Sequence, residues 1–204
     1  MKRKAVFLDR DGCINKWVGF LKSVNEMELL DGAAEAIRLL KEHGWFCIVV
    51  TNQPLVESGV ISDADLERIH DKMRILLKEE GAILDAVYYC PHDPKHTKCD
   101  CHKPNPGLVF KAAAEFDIDL EASWFVGDSW RDVQTGINAR CRTVLLTGTG
   151  GEKSRNPRVV EPTRKYARLI DFAKDMGRLY PCSTEQNRHF APLSVKLQVE
   201  IMNS

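Results

Sequence analysis

The 204-residue chain has no surplus charge of either sign: 29 Lys and Arg face 29 Asp and Glu. Surfaces that hold nucleic acid or anionic membrane in bulk carry a basic excess, so neither partner is expected. No apolar run reaches the ~18 residues of a membrane span. The basic start, Met1-Lys2-Arg3-Lys4, precedes only a short apolar run, Ala5 to Leu8, too brief for a secretory leader. Cysteine is present but in odd number: Cys13, Cys47, Cys90, Cys99, Cys101, Cys141 and Cys182. An odd set with no export signal argues against a disulfide framework and makes metal binding the first reading of any cluster. No internal repeat is visible. A cytoplasmic, single-domain protein is expected, with no nucleic-acid or membrane partner, as a monomer or weak homodimer. The 44% hydrophobic and 28% charged content is ordinary for a globular chain that buries a full core.

What is present is an alternation of strands and helices. "AVFLD" reads as a strand. Residues 32–43 carry apolar side chains at helical spacing and stop at Gly44. "WFCIVVT" is a continuous buried strand. Ser62 is placed to cap a helix over 63–80, with Asp65 as the acid of a capping box. "ILDAVYYC" predicts a strand, "GLVFKAAAEF" a helix after Pro106, "SWFVGD" a strand, "WRDVQTGINA" a helix and "RTVLLTG" a strand. Such alternation predicts an α/β fold, a parallel sheet with helices on both faces. Residues 1–150 are expected to form the core, with an inserted Cys/His/Pro-rich loop that includes 90–101. Residues 151–204 are expected to complete the same domain as a helix over 163–179 and a tail. Within the tail, "LSVKLQVEI" alternates like an edge strand.

Ligand sites of open parallel sheets lie beyond the carboxyl ends of the strands. Asp9 and Asp11 stand at one such end, Thr51 at a second and Asp128 at a third. Carboxylates gathered this closely need a cation or a proton between them. A divalent ion held by Asp9, Asp128 and a backbone oxygen resolves the repulsion, and hard oxygen ligands point to Mg²⁺.

"DRDG" at 9–12, "TNQ" at 51–53, "KPNPG" at 103–107 and "GDSWRD" at 127–132 occur in this order and at strand ends. In these motifs the chain resembles phosphohydrolases of the haloacid dehalogenase superfamily over residues 4–150. The resemblance implies a Rossmann-like, doubly wound sheet without a large cap domain. It implies that Asp9 attacks phosphorus to form an aspartyl-phosphate, and that Asp11 protonates the leaving oxygen and then activates water. Thr51 and Lys103 would hold the phosphoryl oxygens. Asp128 and the backbone oxygen of Asp11 would complete the Mg²⁺ site with Asp9. Asp132, one helical turn on, would bind a water on the metal. Arg10, Asn52, Gln53, His102 and Arg131 are candidates for the rest of a phosphorylated small-molecule substrate.

Cys90, His92, Cys99 and Cys101 supply a Cys3His set, a standard tetrahedral Zn²⁺ donor set. Their C-x-H and C-x-C spacings are tighter than the usual motif, and His96 lies in the same loop as a competing ligand. His102 is expected to face the phosphate site. The loop resembles the zinc loop of the D-glycero-D-manno-heptose 1,7-bisphosphate phosphatases and the related histidinol-phosphate phosphatases, in which the metal is structural. Cys13, Cys47 and Cys141 read as core, and Cys182 has no assignable role. Two departures from the heptose bisphosphatases concern specificity. His102 stands where they usually carry Arg before the motif Lys. The run "TNQPLVESGV" has Pro54, and Glu57 near an expected basic residue. The resemblance therefore implies a phosphatase acting on D-glycero-D-manno-heptose 1,7-bisphosphate, with phosphatases of histidinol phosphate or another sugar monophosphate as alternatives. A nucleic-acid 3′-phosphatase would show a basic groove. A non-catalytic phosphosugar-binding protein would bind without releasing phosphate.

Overall fold

The computed structural model describes residues 2–149 and 161–180. Six strands form one parallel sheet: β1 (Ala5–Leu8), β2 (Phe46–Asn52), β3 (Ala86–Cys90), β4 (Trp124–Gly127), β5 (Arg142–Leu146) and β6 (Arg164–Tyr166). Their order is β3-β2-β1-β4-β5-β6. Among the described residues the α-helices are α1 (Ala33–Glu42), α2 (Asp63–Glu79), α3 (Gly107–Phe116), α4 (Trp130–Asn138) and α5 (Leu169–Leu179).

Period-two side-chain alternation sends each strand into both layers. Val6 and Leu8 join α1, α2 and α5 in one core, through Ile37, Ile69 and Phe172. Ala5 and Phe7 face the opposite way, toward Leu108 and Val109 of α3. The central strands are buried on both faces, which is why they read as unbroken apolar runs. Ser62 caps α2 as expected: its hydroxyl accepts from Asp65 N while the Asp65 carboxylate accepts from Ser62 N.

The last expected helix is corrected. Residues 164–166 are not helical but form β6, and the helix begins at Leu169. Thr163 fixes this edge: Thr143 N donates to its hydroxyl at 3.0 Å, and its own N–H donates to Thr143 Oγ1 at 3.0 Å. A three-residue strand carries too little alternation to separate it from the helix that follows. The expected tail strand and Cys182 lie outside the described residues. Among the described residues no helix is long and apolar enough to cross a membrane.

The chain first builds outward from β1 to β3, then returns to the other side of β1 with β4. The order therefore reverses between β1 and β4, and a crevice opens beyond the carboxyl ends of strands at such a point. Asp9 follows β1 and Asp128 follows β4. Leu8 pairs with Val126, and Asp9 N donates to Val126 O at 2.9 Å, so both carboxylates emerge at the same level.

Candidate active site

Asp9, Asp128 and Asp132 offer carboxylate oxygens that all lie within 4.8 Å of one another. Two glycines make this approach possible. Gly12 turns the chain with φ +74°, and a Cβ there would sit 2.0 Å from Asp128 Oδ2. A Cβ on Gly127 would sit 2.3 Å from Asp132 Cγ. Neither site can take a side chain without displacing a carboxylate.

Among the described residues, the ammonium placed directly on these carboxylates is that of Lys103, which is 3% exposed. Its Nζ lies 2.8 Å from Asp9 Oδ1 and 2.7 Å from Asp132 Oδ1. Burial works against its charge, but Asp132 and Asp9 outweigh that cost and push its pKa up. Asp132 also closes the N-terminus of α4, accepting from Ser129 N at 3.1 Å and Ser129 Oγ at 2.6 Å. Asp132 is thus a direct partner of the motif lysine, a contact that sequence spacing did not reveal. Asn52 holds the Lys103 backbone from both sides, accepting from its N–H at 3.0 Å and donating to its carbonyl at 3.2 Å.

One ammonium does not balance three carboxylates. Burial first, then the charge of Asp132, raises the Asp9 pKa to about 7. Burial, then Asp9 and Asp132, raises that of Asp128 to about 8. Asp128 Oδ2 is buried with no hydrogen-bond partner among the described residues. A hard divalent cation answers all three observations.

Asp11 lives in a different environment. Burial pushes its carboxyl up, but the Arg10 charge and hydrogen bonds from Asn15, Arg10 and Gln53 hold it below the usual carboxylate range. The bonds are Arg10 Nη2 at 2.8 Å, Asn15 Nδ2 at 2.9 Å and Gln53 Nε2 at 3.0 Å. Gln53 also donates to Thr51 Oγ1 at 2.9 Å. A hydroxyl that accepts in this way keeps its own proton for another acceptor.

These groups line one cavity. Asp9, Asp11, Thr51, Asn52, Lys103, Asp128, Arg131 and Asp132 all reach it. Arg10, Gln53 and His102 do not, and the structure gives each a different task. Arg10 is fully buried behind Asp11, because its guanidinium is spent on that carboxylate. Gln53 is buried between Asp11 and Thr51. His102 leans into the cysteine loop, its Nδ1 3.1 Å from the His92 carbonyl and 3.8 Å from Cys90 Sγ. Sequence reasoning missed Trp17 and Phe20, exposed apolar residues that flank Gly19 at the cavity mouth. The only signal was an apolar "WVGF" in a loop with no period to bury it.

The cysteine loop brings Cys90, His92, Cys99 and Cys101 into a second cluster within 4.8 Å. Cys90 Sγ is 3.7 Å from Cys99 Sγ and 3.2 Å from Cys101 Sγ, and His92 Nδ1 is 3.6 Å from Cys90 Sγ and 3.2 Å from Cys101 Sγ. Tetrahedral Zn²⁺ with ordinary Zn–S and Zn–N bonds sets its ligand atoms about 3.5–3.8 Å apart. The donors fit that ion with slight contraction. His96 is not in the cluster; its N–H donates to Asp93 O in a turn at 2.9 Å. Glu57, which stands near an expected basic residue, accepts from Asp93 N and Thr97 Oγ1, tying the segment after β2 to this loop.

The HAD-hydrolase-like family model matches residues 100–171. The chain is 38% identical to D-glycero-beta-D-manno-heptose-1,7-bisphosphate 7-phosphatase of Escherichia coli K12, over 72% of this chain and 80% of that protein. It is 41% identical to D-glycero-alpha-D-manno-heptose-1,7-bisphosphate 7-phosphatase of Burkholderia mallei, with the same coverage. The crystal structure of D,D-heptose 1,7-bisphosphate phosphatase from B. bronchiseptica, complexed with magnesium and phosphate, superposes with a TM-score of 0.80. That match has 35% identity and covers 86% of this chain and 99% of the other. With its carboxylate-tipped strands, its carboxylate cluster and its overall likeness, the chain belongs to the D-glycero-D-manno-heptose-1,7-bisphosphate 7-phosphatase family of HAD-like phosphoric monoester hydrolases.

Proposed function

We propose that this protein removes the 7-phosphate of D-glycero-D-manno-heptose 1,7-bisphosphate through a phosphorylated Asp9. The observation that carries this reading is the convergence of Asp9, Asp128, Thr51 and Lys103 on one cavity at the strand-order reversal. Asp9, Asp128 and the backbone of Asp11 would hold Mg²⁺, as the unpartnered Asp128 oxygen invites. Bound Mg²⁺ offsets the negative charge of the carboxylates and of the phosphoryl oxygens.

An Asp9 oxygen forms the new bond to phosphorus as the bond to the sugar oxygen breaks. Asp11 is ionised in the free site; the negative charge of the bound phosphate favours its protonation, so it takes up a proton with the substrate, gives it to that oxygen, and in the second step takes one from the water that releases phosphate. Thr51 and Lys103 donate to the phosphoryl oxygens, where charge builds in the transition state. Burial of Lys103 concentrates its effect, since a charge in a water-poor site is screened weakly.

The cysteine loop would hold Zn²⁺ through Cys90, Cys99, Cys101 and His92 Nδ1. Four protein ligands would leave no open position, so a zinc ion held there would shape the loop and take no part in the reaction. The loop leads directly into Lys103, whose backbone Asn52 pins to β2. Cys101→Ser is expected to lose the zinc and lower the melting temperature by about 6–12 °C, the shift of roughly 3 kcal/mol in a chain of this size. Metal analysis beside a thermal scan checks this; full melting temperature without zinc would remove the metal from the account.

One observation favours a second reading, a sugar monophosphate. The cavity lining is partly apolar, with Trp17 and Phe20, and His102, which stands where a phosphate-binding arginine is expected, does not reach it. A substrate panel separates the two: both anomers of the heptose bisphosphate, heptose and hexose monophosphates, and histidinol phosphate. The proposal expects the highest kcat/KM for a heptose bisphosphate. A monophosphate at the top would replace it as substrate. Binding without any release would make the chain a phosphosugar-binding protein.

A further inference from the structure

Arg10 is a fully buried arginine whose guanidinium has two partners. Nε and Nη2 reach Asp11, while Nη1 lies 3.2 Å from Nε2 of His70 on α2. His70 is itself fully buried. Arginine has only donors, so this contact requires His70 Nε2 to accept, which places the ring proton on Nδ1. Nδ1 lies 3.9 Å from Glu67 Oε2, and neither atom has a hydrogen-bond partner among the described residues. Glu67 Oε1 is in turn held by Arg74 at 2.7 Å. Burial lowers the His70 pKa to about 4, although Glu67 opposes it. A neutral ring is the form that can accept.

A guanidinium grips a carboxylate through parallel bonds that depend on its plane. Pinning the far nitrogen fixes that plane. We infer that His70 is a positioning residue for Asp11: by accepting from Arg10 it fixes the guanidinium, which in turn fixes the carboxyl group that moves the proton. This rests on the proposed role of Asp11.

The test compares two substrates. The sugar alkoxide needs a proton to leave, whereas p-nitrophenolate does not. Values of kcat/KM report the step in which the leaving group departs. His70→Met removes the acceptor at similar volume, and His70→Gln keeps one near the place of Nε2. His70→Met is expected to lower kcat/KM for the heptose bisphosphate about 10- to 100-fold, the cost of a misplaced catalytic group, and that for p-nitrophenyl phosphate less than about threefold. His70→Gln is expected to stay within about threefold of wild type on both. Equal losses on both substrates, no loss, or a Gln variant as impaired as Met would overturn the inference. Should His70→Met fail to fold, His70→Asn, too short to reach Arg10, takes its place against Gln. Asp11→Asn is run in parallel. If it discriminates between the substrates and the His70 variant does not, only the His70 inference falls. If Asp11→Asn treats both alike, the role of Asp11 falls and this inference with it.

Discussion

Asp9→Asn is expected to lower phosphate release by at least about 10⁴-fold, because a covalent route has no substitute for its nucleophile. The same change should leave the metal-free protein no less stable than wild type. Asp9, Asp128 and Asp132 share one ammonium, and burial first, then the neighbouring carboxylates, raises the pKa values of Asp9 and Asp128. Removing one like charge relieves their repulsion, while Lys103 keeps its bond to Asp132. The amide oxygen of the variant can still accept from Arg10 N, as the Asp9 carboxylate does at 2.7 Å. Activity and stability thus part company, as they do where a site is built for reaction rather than for rest. Urea titration beside a phosphate assay reads both. A variant that keeps more than about one hundredth of wild-type turnover would end the nucleophile assignment.

Lys103→Met is expected to lower kcat/KM about 10²- to 10³-fold, the range for removing a preorganised donor from a developing charge. Here stability should fall too, by about 3–5 kcal/mol without metal, because two buried carboxylates lose their counter-charge. Added Mg²⁺ should restore part of that loss, and more of it than it adds to wild type, since the ion supplies positive charge to the same carboxylates. Lys103→Arg is not expected to rescue, because the slot is 3% exposed and shaped for a single ammonium between two oxygens. Asn52 grips the backbone and not the side chain, so the loop should stay in place. Unchanged kcat/KM in Lys103→Met would remove the lysine from the phosphoryl site. A gain in metal-free stability would contradict its role as counter-charge.

Most of the site was legible because its residues are fixed by backbone position. Asp9, Thr51 and Asp128 end apolar runs, and a run that ends a parallel strand can deliver its next residue only to the sheet edge. Cys90, His92, Cys99 and Cys101 are close in sequence and chemically alike, so their gathering was readable too. Arg10 and Gln53 were not, because a motif string does not say which way a side chain turns. Their neighbours in the string face the cavity, but burial and a carboxylate partner draw these two behind it. The pairing of Lys103 with Asp132 joins distant segments through a contact that only the fold creates. β6 was hidden by its length, and Trp17 and Phe20 by a loop that offers no period.

Phosphorus is expected to pass through Asp9, and Asp11→Asn, mixed with p-nitrophenyl phosphate and Mg²⁺ and acid-quenched within one turnover, should trap it there. That leaving group departs without the acid, while loss of the base slows the second step. Peptide mapping by mass spectrometry should find a phosphoryl group on Asp9, at near-stoichiometric level as p-nitrophenol is released. A phosphoryl group on any other residue, or a full turnover of p-nitrophenol with an unmodified Asp9, would contradict the account.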